Sequence, residues 1–227
     1  MKVLEVFRLI SQRSLLIVAH GESPSHALAQ RMAATHQAVL ATDGAIRVAN
    51  ALGLNVDYLS GDLDSVTPEE LTQRAEGVLL IPTPDQERAD LEKAILEAQH
   101  LGFESITVLG ALGRRPDHTI ANLALLLALP PEPTVVYADD YGFTRAISAN
   151  GGVRSVAIVA EPGDTISLVA MATGVVVSAA GVEWPLHEEE LLPGTRGVSN
   201  RAADSVVTIT VHSGALFLIH LNRIATG

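Results

Sequence analysis

Residues 14–130 alternate short apolar runs with stretches of helical period. The runs at 15–19, 38–41, 56–59, 78–81 and 106–109 have the length and composition of strands. Between them, segments near 24–36, 44–52, 67–76, 87–101 and 116–129 read as helices. The one at 87–101 places Leu91, Ala94, Ile95 and Ala98 at i, i+3, i+4 and i+7, a single face of a 3.6-residue period. Strands alternating with helices predict a mostly parallel α/β sheet covered on both faces. Ligands bind such sheets beyond the carboxyl ends of the strands. That directs attention to five loops: His20-Gly21-Glu22, Thr42-Asp43-Gly44, 61–65, 82–90 and 110–118.

After Pro130-Pro131-Glu132-Pro133 the pattern changes. Runs at 144–148, 156–159, 165–171, 175–179, 206–212 and 216–221 predict closely spaced strands, with a hairpin turn at His212-Ser213-Gly214-Ala215. The expected organisation is an α/β domain over 1–133 and a β-sandwich over 134–227, although 134–138 also reads as a last strand of the first domain. Positions 165–182 carry no charged residue, near the minimum length for a spanning helix. Their threonines, serines and β-branched valines fit two strands joined near Thr173-Gly174 better, so no membrane association is expected.

Composition narrows the function classes. The 227 residues are 48% hydrophobic and 18% charged, which fits a folded globular protein. With no cysteine, disulfides, thiolate metal sites and cysteine nucleophiles are excluded, in keeping with a cytoplasmic enzyme. Lys2, Arg8 and Arg13 break up the N-terminus, which does not read as a secretory leader. The net charge is −11, and residues 57–92 alone hold ten carboxylates against Arg74 and Arg88. No Lys/Arg stripe is present, which argues against nucleic acid as a partner; a phosphate-bearing ligand would need a metal to mediate.

Within that acidic segment, Gly61-Asp62-Leu63-Asp64-Ser65 follows a strand run. Carboxylates two residues apart on a strand project to one side, about 6–7 Å apart. At an effective dielectric near 20 they repel by roughly 2.5 kcal/mol, which a divalent cation relieves. The alternative is a solvated turn, for which Gly, Asp and Ser are ordinary residues. At Gly110-Ala111-Leu112-Gly113-Arg114-Arg115-Pro116-Asp117-His118 a strand passes through a Gly- and Arg-containing loop into a helix. Exposed N–H groups beside two arginines make a phosphate site, while Asp117 at a plain helix start is the other reading. No Walker loop, dinucleotide fingerprint, zincin motif or nucleophile elbow occurs.

Taken in order, these pieces resemble the thiamine pyrophosphokinase (thiamine diphosphokinase) family. Thr42-Asp43-Gly44-Ala45 resembles its Asp-Gly-Gly-Ala turn, and the 61–65 pentapeptide its Gly-Asp-Phe-Asp-Ser. Thr83-Pro84-Asp85-Gln86-Glu87-Arg88-Ala89-Asp90-Leu91-Glu92-Lys93 is similar to Thr-Pro-Asp-Gln-Asp-x-Thr-Asp-x-x-Lys. Residues 110–122 resemble its Gly-Gly-Arg-x-Asp-His-Thr-x-Ala-Asn loop and helix. In the second half, Pro162-Gly163-Asp164-Thr165, Gly181-Val182-Glu183-Trp184-Pro185-Leu186 and Gly197-Val198-Ser199-Asn200 match β-domain motifs.

The resemblance implies a homodimer that transfers the pyrophosphoryl group of ATP to thiamine and releases AMP. It implies an α/β catalytic domain that binds nucleotide and a β-sandwich that binds thiamine. Asp62, Asp64 and Asp90 would hold Mg²⁺ and act with Asp117 in catalysis. Asp43, Gln86, Lys93, Arg115 and His118 would line the nucleotide site. Trp184, Ser199 and Asn200 would hold thiamine, with Trp184 reaching across the dimer.

For several of these residues a structural role competes. Lys93 also reads as a surface lysine, Asp90 as a helix-start carboxylate and Trp184 as a partly buried core residue. His118 also reads as helix-stabilising, and the other histidines show no ligand spacing. The chain departs from the family at Ala45, Ala89, Arg114 and Pro116. These departures keep open pyrophosphoryl transfer to another heterocyclic alcohol such as a pterin. A silent thiamine- or nucleotide-binding protein and an Asp-x-Asp sugar transferase are the remaining alternatives.

Overall fold

Ser14-Leu15-Leu16-Ile17-Val18 is apolar at four consecutive positions and becomes β1 (Ser14–Val18), buried along its whole length. The structure is a computed structural model and describes residues 13–62, 77–85 and 87–222. The predicted helix at 67–76, Asp64 and Gln86 lie outside the described residues. Contacts divide the chain into two units, one holding 13–125 with 132–140 and the other 126–131 with 141–222.

In the first unit β1 pairs in parallel with β2 (Ala38–Thr42) on one side and β5 (Ser105–Leu109) on the other. From β2 the sheet continues outward through β3 (Tyr58–Gly61) and β4 (Leu79–Pro82), and from β5 to β6 (Thr134–Ala138), all parallel. The chain thus steps away from β1 in one direction and then returns to build the other side. The switch point lies between β1 and β5, and the crevice at their carboxyl ends is where such a sheet binds ligands. Helices α1 (His26–Ala33), α2 (Ile46–Ala51), α3 (Asp90–His100) and α4 (Pro116–Ala128) are the α-helices described. The expected face of α3 is the buried one, through Leu91, Ala94, Ile95 and Ala98.

Two boundaries move. β3 begins at Tyr58 and ends on Gly61, two residues later than expected; just before it, Asp57 donates its N–H to the Val39 carbonyl and its carboxylate accepts from Val39 N–H, both at 2.8 Å. Thr134–Ala138 pairs with β5, so contacts place residues 132–140 with the α/β unit. The expected division at Pro133 differs from this one. β4 holds Pro82 where it ends the sheet, a position that needs no ladder donor.

The second unit contains two antiparallel sheets. One has the order β12 (Asn200–Arg201), β9 (Thr165–Ala170), β14 (Ala215–Leu221), β7 (Gly142–Ser148); the other has β11 (Leu186–Leu191), β10 (Val175–Ala180), β13 (Val206–Ser213), β8 (Arg154–Val159). Ile147, Ile166, Leu168, Leu216 and Leu218 from the first share one core with Val177, Ile209 and Val211 from the second, the sandwich arrangement. The expected hairpin at 212–215 is a corner instead: β13 pairs with β10 and β8, while β14 pairs with β7 and β9. The turn at Thr173-Gly174 is a second such corner, and the Ser213 hydroxyl donates to the Gly174 carbonyl at 2.6 Å. β11 and β12 were not expected. β11 is a charged edge strand, His187-Glu188-Glu189-Glu190, with Glu188 at φ 52 beside a register shift in β10. Charge and a bulge are how exposed sheet edges resist pairing with other chains. Among the described residues no helix is long and apolar enough to cross a membrane.

One half-buried group gives the α/β unit a pH signature. His36 Nδ1 donates to the Met32 carbonyl (2.7 Å), so Nε2 is left to accept from the Thr107 hydroxyl (2.8 Å). Burial pushes the His36 pKa below its ordinary 6.5, against a smaller upward pull from the Met32 hydrogen bond. The unfolded chain therefore binds a proton that the folded chain resists. The stabilisation is complete above the unfolded pKa and is lost as pH falls below it. Urea denaturation at about pH 8 and about pH 5.5 is expected to show a loss of stability that is smaller in His36→Gln. An equal loss in both proteins would contradict this role for His36.

Candidate active site

The five loops singled out by the sequence meet in one cleft of about 480 Å³ within the α/β unit. It is lined by His20 and Gly21 after β1, Thr42 at the end of β2 and Gly44 beyond it, and Asp62 after β3. Asp85, Arg88 and Ala89 contribute from the β4–α3 connection and Asp90 and Lys93 from the start of α3, with Gly110, Arg114, Arg115 and His118 from β5 to the start of α4.

Close backbone contact builds the floor. Gly21 N–H donates to the Gly110 carbonyl and Glu22 N–H to the Leu112 carbonyl, both at 2.7 Å. A Cβ on Gly21 would lie 2.3 Å from the Gly110 oxygen, and one on Gly110, at φ 69, would lie 2.4 Å from the Ala19 oxygen. Only glycine fits either position. Behind the cleft, a Cβ on Gly61 would meet the Asp43 Cβ at 2.4 Å. Asp43 itself is 4% exposed, where the chain leaves β2 for a short 3₁₀ turn. Ala45 has φ −100, ordinary for an L residue, so the missing family glycine costs nothing there.

Helix α4 pins the loop that precedes it. The Asn122 side chain donates to the Ala111 carbonyl (2.6 Å), and Thr119 Oγ1 accepts from Gly113 N–H (3.1 Å). The Tyr137 hydroxyl in β6 donates to the Asn122 carbonyl (2.9 Å), and burial pushes the pKa of that phenol upward. No site role was expected of Thr119, Asn122 or Tyr137; together they hold the 110–118 loop in place. Pro116 opens α4, as expected for a residue without an N–H.

The cleft's charges are largely paired. Arg115 grips Asp117 through Nε (3.1 Å) and Nη2 (2.5 Å), which holds the Asp117 carboxyl at about 2. Both therefore stay charged at neutral pH, with the guanidinium's direction fixed. Arg88 bridges Asp85 (2.6 Å) and Glu92 (3.2 Å). The Glu87 N–H, and then Arg88, hold the Asp85 carboxyl below its usual range. The i,i+3 and i,i+4 spacings of this trio were the signal that could have revealed it. Lys93 is not a surface lysine. It is 6% exposed, and its Nζ reaches Asp90 Oδ1 at 2.9 Å and the carbonyls of Asp85 (3.1 Å) and Thr83 (3.3 Å). It ties the β4 loop to the start of α3, which fixes Asp90 as well.

The structure thus brings together Asp62, Asp90, Lys93, Arg115 and His118 on the cleft wall, with Asp117 bonded to Arg115. Two exposed carboxylates, Asp62 and Asp90, suit a hard cation by donor chemistry. Among the described residues no group of three metal-binding side chains occurs; Asp64 and Gln86 lie outside the described residues.

Trp184, Ser199 and Asn200 belong to the sandwich unit and form a cluster of their own. The Asn200 side chain accepts from Trp184 N–H (3.1 Å) and donates to the Trp184 carbonyl (2.7 Å). The indole is 53% exposed, which rules out the core role. Ser199, at φ 63, is held by a hydrogen bond from its N–H to Ser167 Oγ (2.9 Å).

Known proteins share this architecture. A family model described as thiamin pyrophosphokinase, catalytic domain, matches residues 29–137, and one described as thiamin pyrophosphokinase, vitamin B1 binding domain, matches 155–216. Thiamin pyrophosphokinase 1 of Caenorhabditis elegans is 29% identical over 197 residues, covering 81% of this chain and 79% of that protein. Thiamine pyrophosphokinase 3 of Oryza sativa subsp. japonica is 30% identical over 183 residues, covering 74% and 67%. Among solved structures, thiamine pyrophosphokinase from Bacillus subtilis superposes with TM-score 0.75 at 20% identity, over 92% of this chain and 99% of that one. The Candida albicans protein gives 0.75 at 17% identity, over 95% and 91%.

Helix α3 yields a test of local design. Ala89 is its N-cap, with extended backbone and no side-chain oxygen to accept from the first-turn N–H groups. Ala89→Thr supplies that acceptor and is expected to raise stability by about 1 kcal/mol. Denaturant melts check it, and a loss of stability would show that the cap geometry is otherwise.

Proposed function

This chain belongs to the thiamin pyrophosphokinase family, and from that premise we propose that it transfers the pyrophosphoryl group of ATP to the hydroxyl of thiamine, giving thiamine diphosphate and AMP. The observation that carries the reading is one cleft at the β1–β5 switch point that gathers Asp62, Asp90, Lys93, Arg115 and His118 from three separate segments. The tandem match of a catalytic and a vitamin B1 binding model supports the thiamine half of the reaction.

In-line attack on the β-phosphorus asks the protein mainly for positioning and charge stabilisation. Arg115, oriented by Asp117, presents a planar donor fork to phosphate oxygens. Lys93 keeps the α3 N-terminus and Asp90 in fixed relation to the β4 loop. The Gly110–Gly113 turn lets backbone N–H groups approach the anion. Asp62, Asp64 and Asp90 would hold Mg²⁺, which supplies neutralisation of the polyphosphate charge when bound. In the sandwich unit the exposed indole of Trp184, on a backbone clamped by Asn200, offers a face to the cationic thiazolium or the pyrimidine of thiamine. The working species we propose is a cytoplasmic homodimer in which Trp184 serves the partner's site. Trp184, Leu192 and Val198 supply exposed apolar surface for that contact.

Incubation of the protein with thiamine, ATP and Mg²⁺ is expected to yield thiamine diphosphate and AMP in equal amounts; ADP in place of AMP, or no product, would count against the proposal. In the same assay Asp62→Asn is expected to lower kcat by about 100-fold or more with the fold intact by circular dichroism. A near-parental rate would remove Asp62 from the site. Trp184→Ala is expected to raise the KM for thiamine about tenfold and leave that for ATP unchanged. Equal effects on both would place the indole elsewhere.

A further inference from the structure

Three cations of the cleft are each held against a carboxylate: Arg88 by Asp85 and Glu92, Lys93 by Asp90, Arg115 by Asp117. Arg114 lines the same cleft, is exposed, and forms no ion pair with any carboxylate among the described residues. Its side-chain hydrogen bond runs from Nη1 to the His20 carbonyl at 3.5 Å, a separation at which little is gained. Most of the guanidinium's donors therefore remain available over the β1 loop. Its backbone is also unusual. Arg114 sits at φ 60, directly after Gly113 at φ 80, in a region that L residues with long side chains avoid. Glycine would occupy this position without strain, and the family pattern carries glycine there. This chain keeps a strained arginine at the mouth of its acidic cleft, and such strain is retained where a side chain has a task.

We infer that Arg114 is a nucleotide-binding residue, whose guanidinium contacts the polyphosphate of the nucleoside triphosphate. The physical logic is charge. Asp62, Asp85 and Asp90 line the cleft, and each paired cation there is already offset by a carboxylate. An incoming polyphosphate therefore meets walls with little net attraction. A guanidinium with no carboxylate partner among the described residues supplies it, and its planar fork matches two phosphate oxygens at once. The inference rests on the proposed reaction for the identity of its ligand, but not for the existence of the contact.

Arg114→Gly tests it cleanly, because glycine suits the backbone. The variant is expected to unfold at a temperature no lower than the parent, so a loss of binding cannot be laid to misfolding. Calorimetric titration with ATP, and separately with inorganic tripolyphosphate, is expected to show affinity reduced about tenfold for both. The dependence of ATP affinity on salt is expected to become shallower, and the KM for thiamine to stay unchanged. Unaltered affinity for both anions in the folded variant would overturn the inference, as would a parent protein that binds neither. A parent that binds ATP through Arg114 but makes no thiamine diphosphate would sustain the contact and overturn the proposed reaction instead.

Discussion

The cleft depends on how closely two backbones approach at the carboxyl ends of β1 and β5. Ala19, Gly21 and Glu22 extend the pairing of β1 with β5 past the end of both strands, through hydrogen bonds of 2.7–2.8 Å to Leu109, Gly110 and Leu112. The approach leaves no space for a Cβ at residue 21 or 110. Beyond this seam the two connections diverge, and the space between them is the site. A side chain in either place would part the loops and with them the surfaces that carry Arg115 and His118. Gly61 against Asp43 repeats the constraint one strand further out. Three glycines, none able to take part in chemistry, thus set where the acidic and basic groups can stand.

Electrostatics builds on that frame. The chain concentrates its negative charge between residues 57 and 92, and uncompensated that charge would repel any phosphate. The described structure answers by interleaving cations with the carboxylates: Lys93 under Asp90, Arg88 between Asp85 and Glu92, Arg115 against Asp117. These pairs are mostly exposed, so their value lies less in stability than in direction. Lys93 is the exception. A buried ammonium surrounded by a carboxylate and two carbonyls is costly to disturb, and it joins the β4 loop to α3 at the point where Asp90 enters the cleft.

Much of this was legible in the sequence, and the reasons are physical. Fully buried parallel strands are continuous apolar runs, so β1, β2 and β5 stood out, and the 3.6-residue period of α3 marked its buried face. A strand with no apolar face carries no such mark. β11 is largely glutamate and histidine and is a strand because β10 offers it a partner, not because its residues favour one. The corners at Gly174 and Gly214 have the composition of hairpin turns, and only the pairing of the flanking strands shows that each crosses between sheets. For the candidate site, the resemblance pointed to Asp62, Asp90, Arg115 and Asp117, and the structure places the first three on one cleft with Asp117 bonded to Arg115. Residue type and order could not show that Lys93 is buried, that Thr119, Asn122 and Tyr137 hold the loop, or that Arg114 adopts a left-handed backbone. Those facts arise from contacts between segments far apart in the chain.

The most direct measurement follows the phosphorus atoms. With ATP labelled at its β-phosphorus, pyrophosphoryl transfer carries the label onto thiamine and leaves AMP unlabelled, the result expected of this cleft. Label retained in ADP, with thiamine gaining a single phosphate, would contradict it.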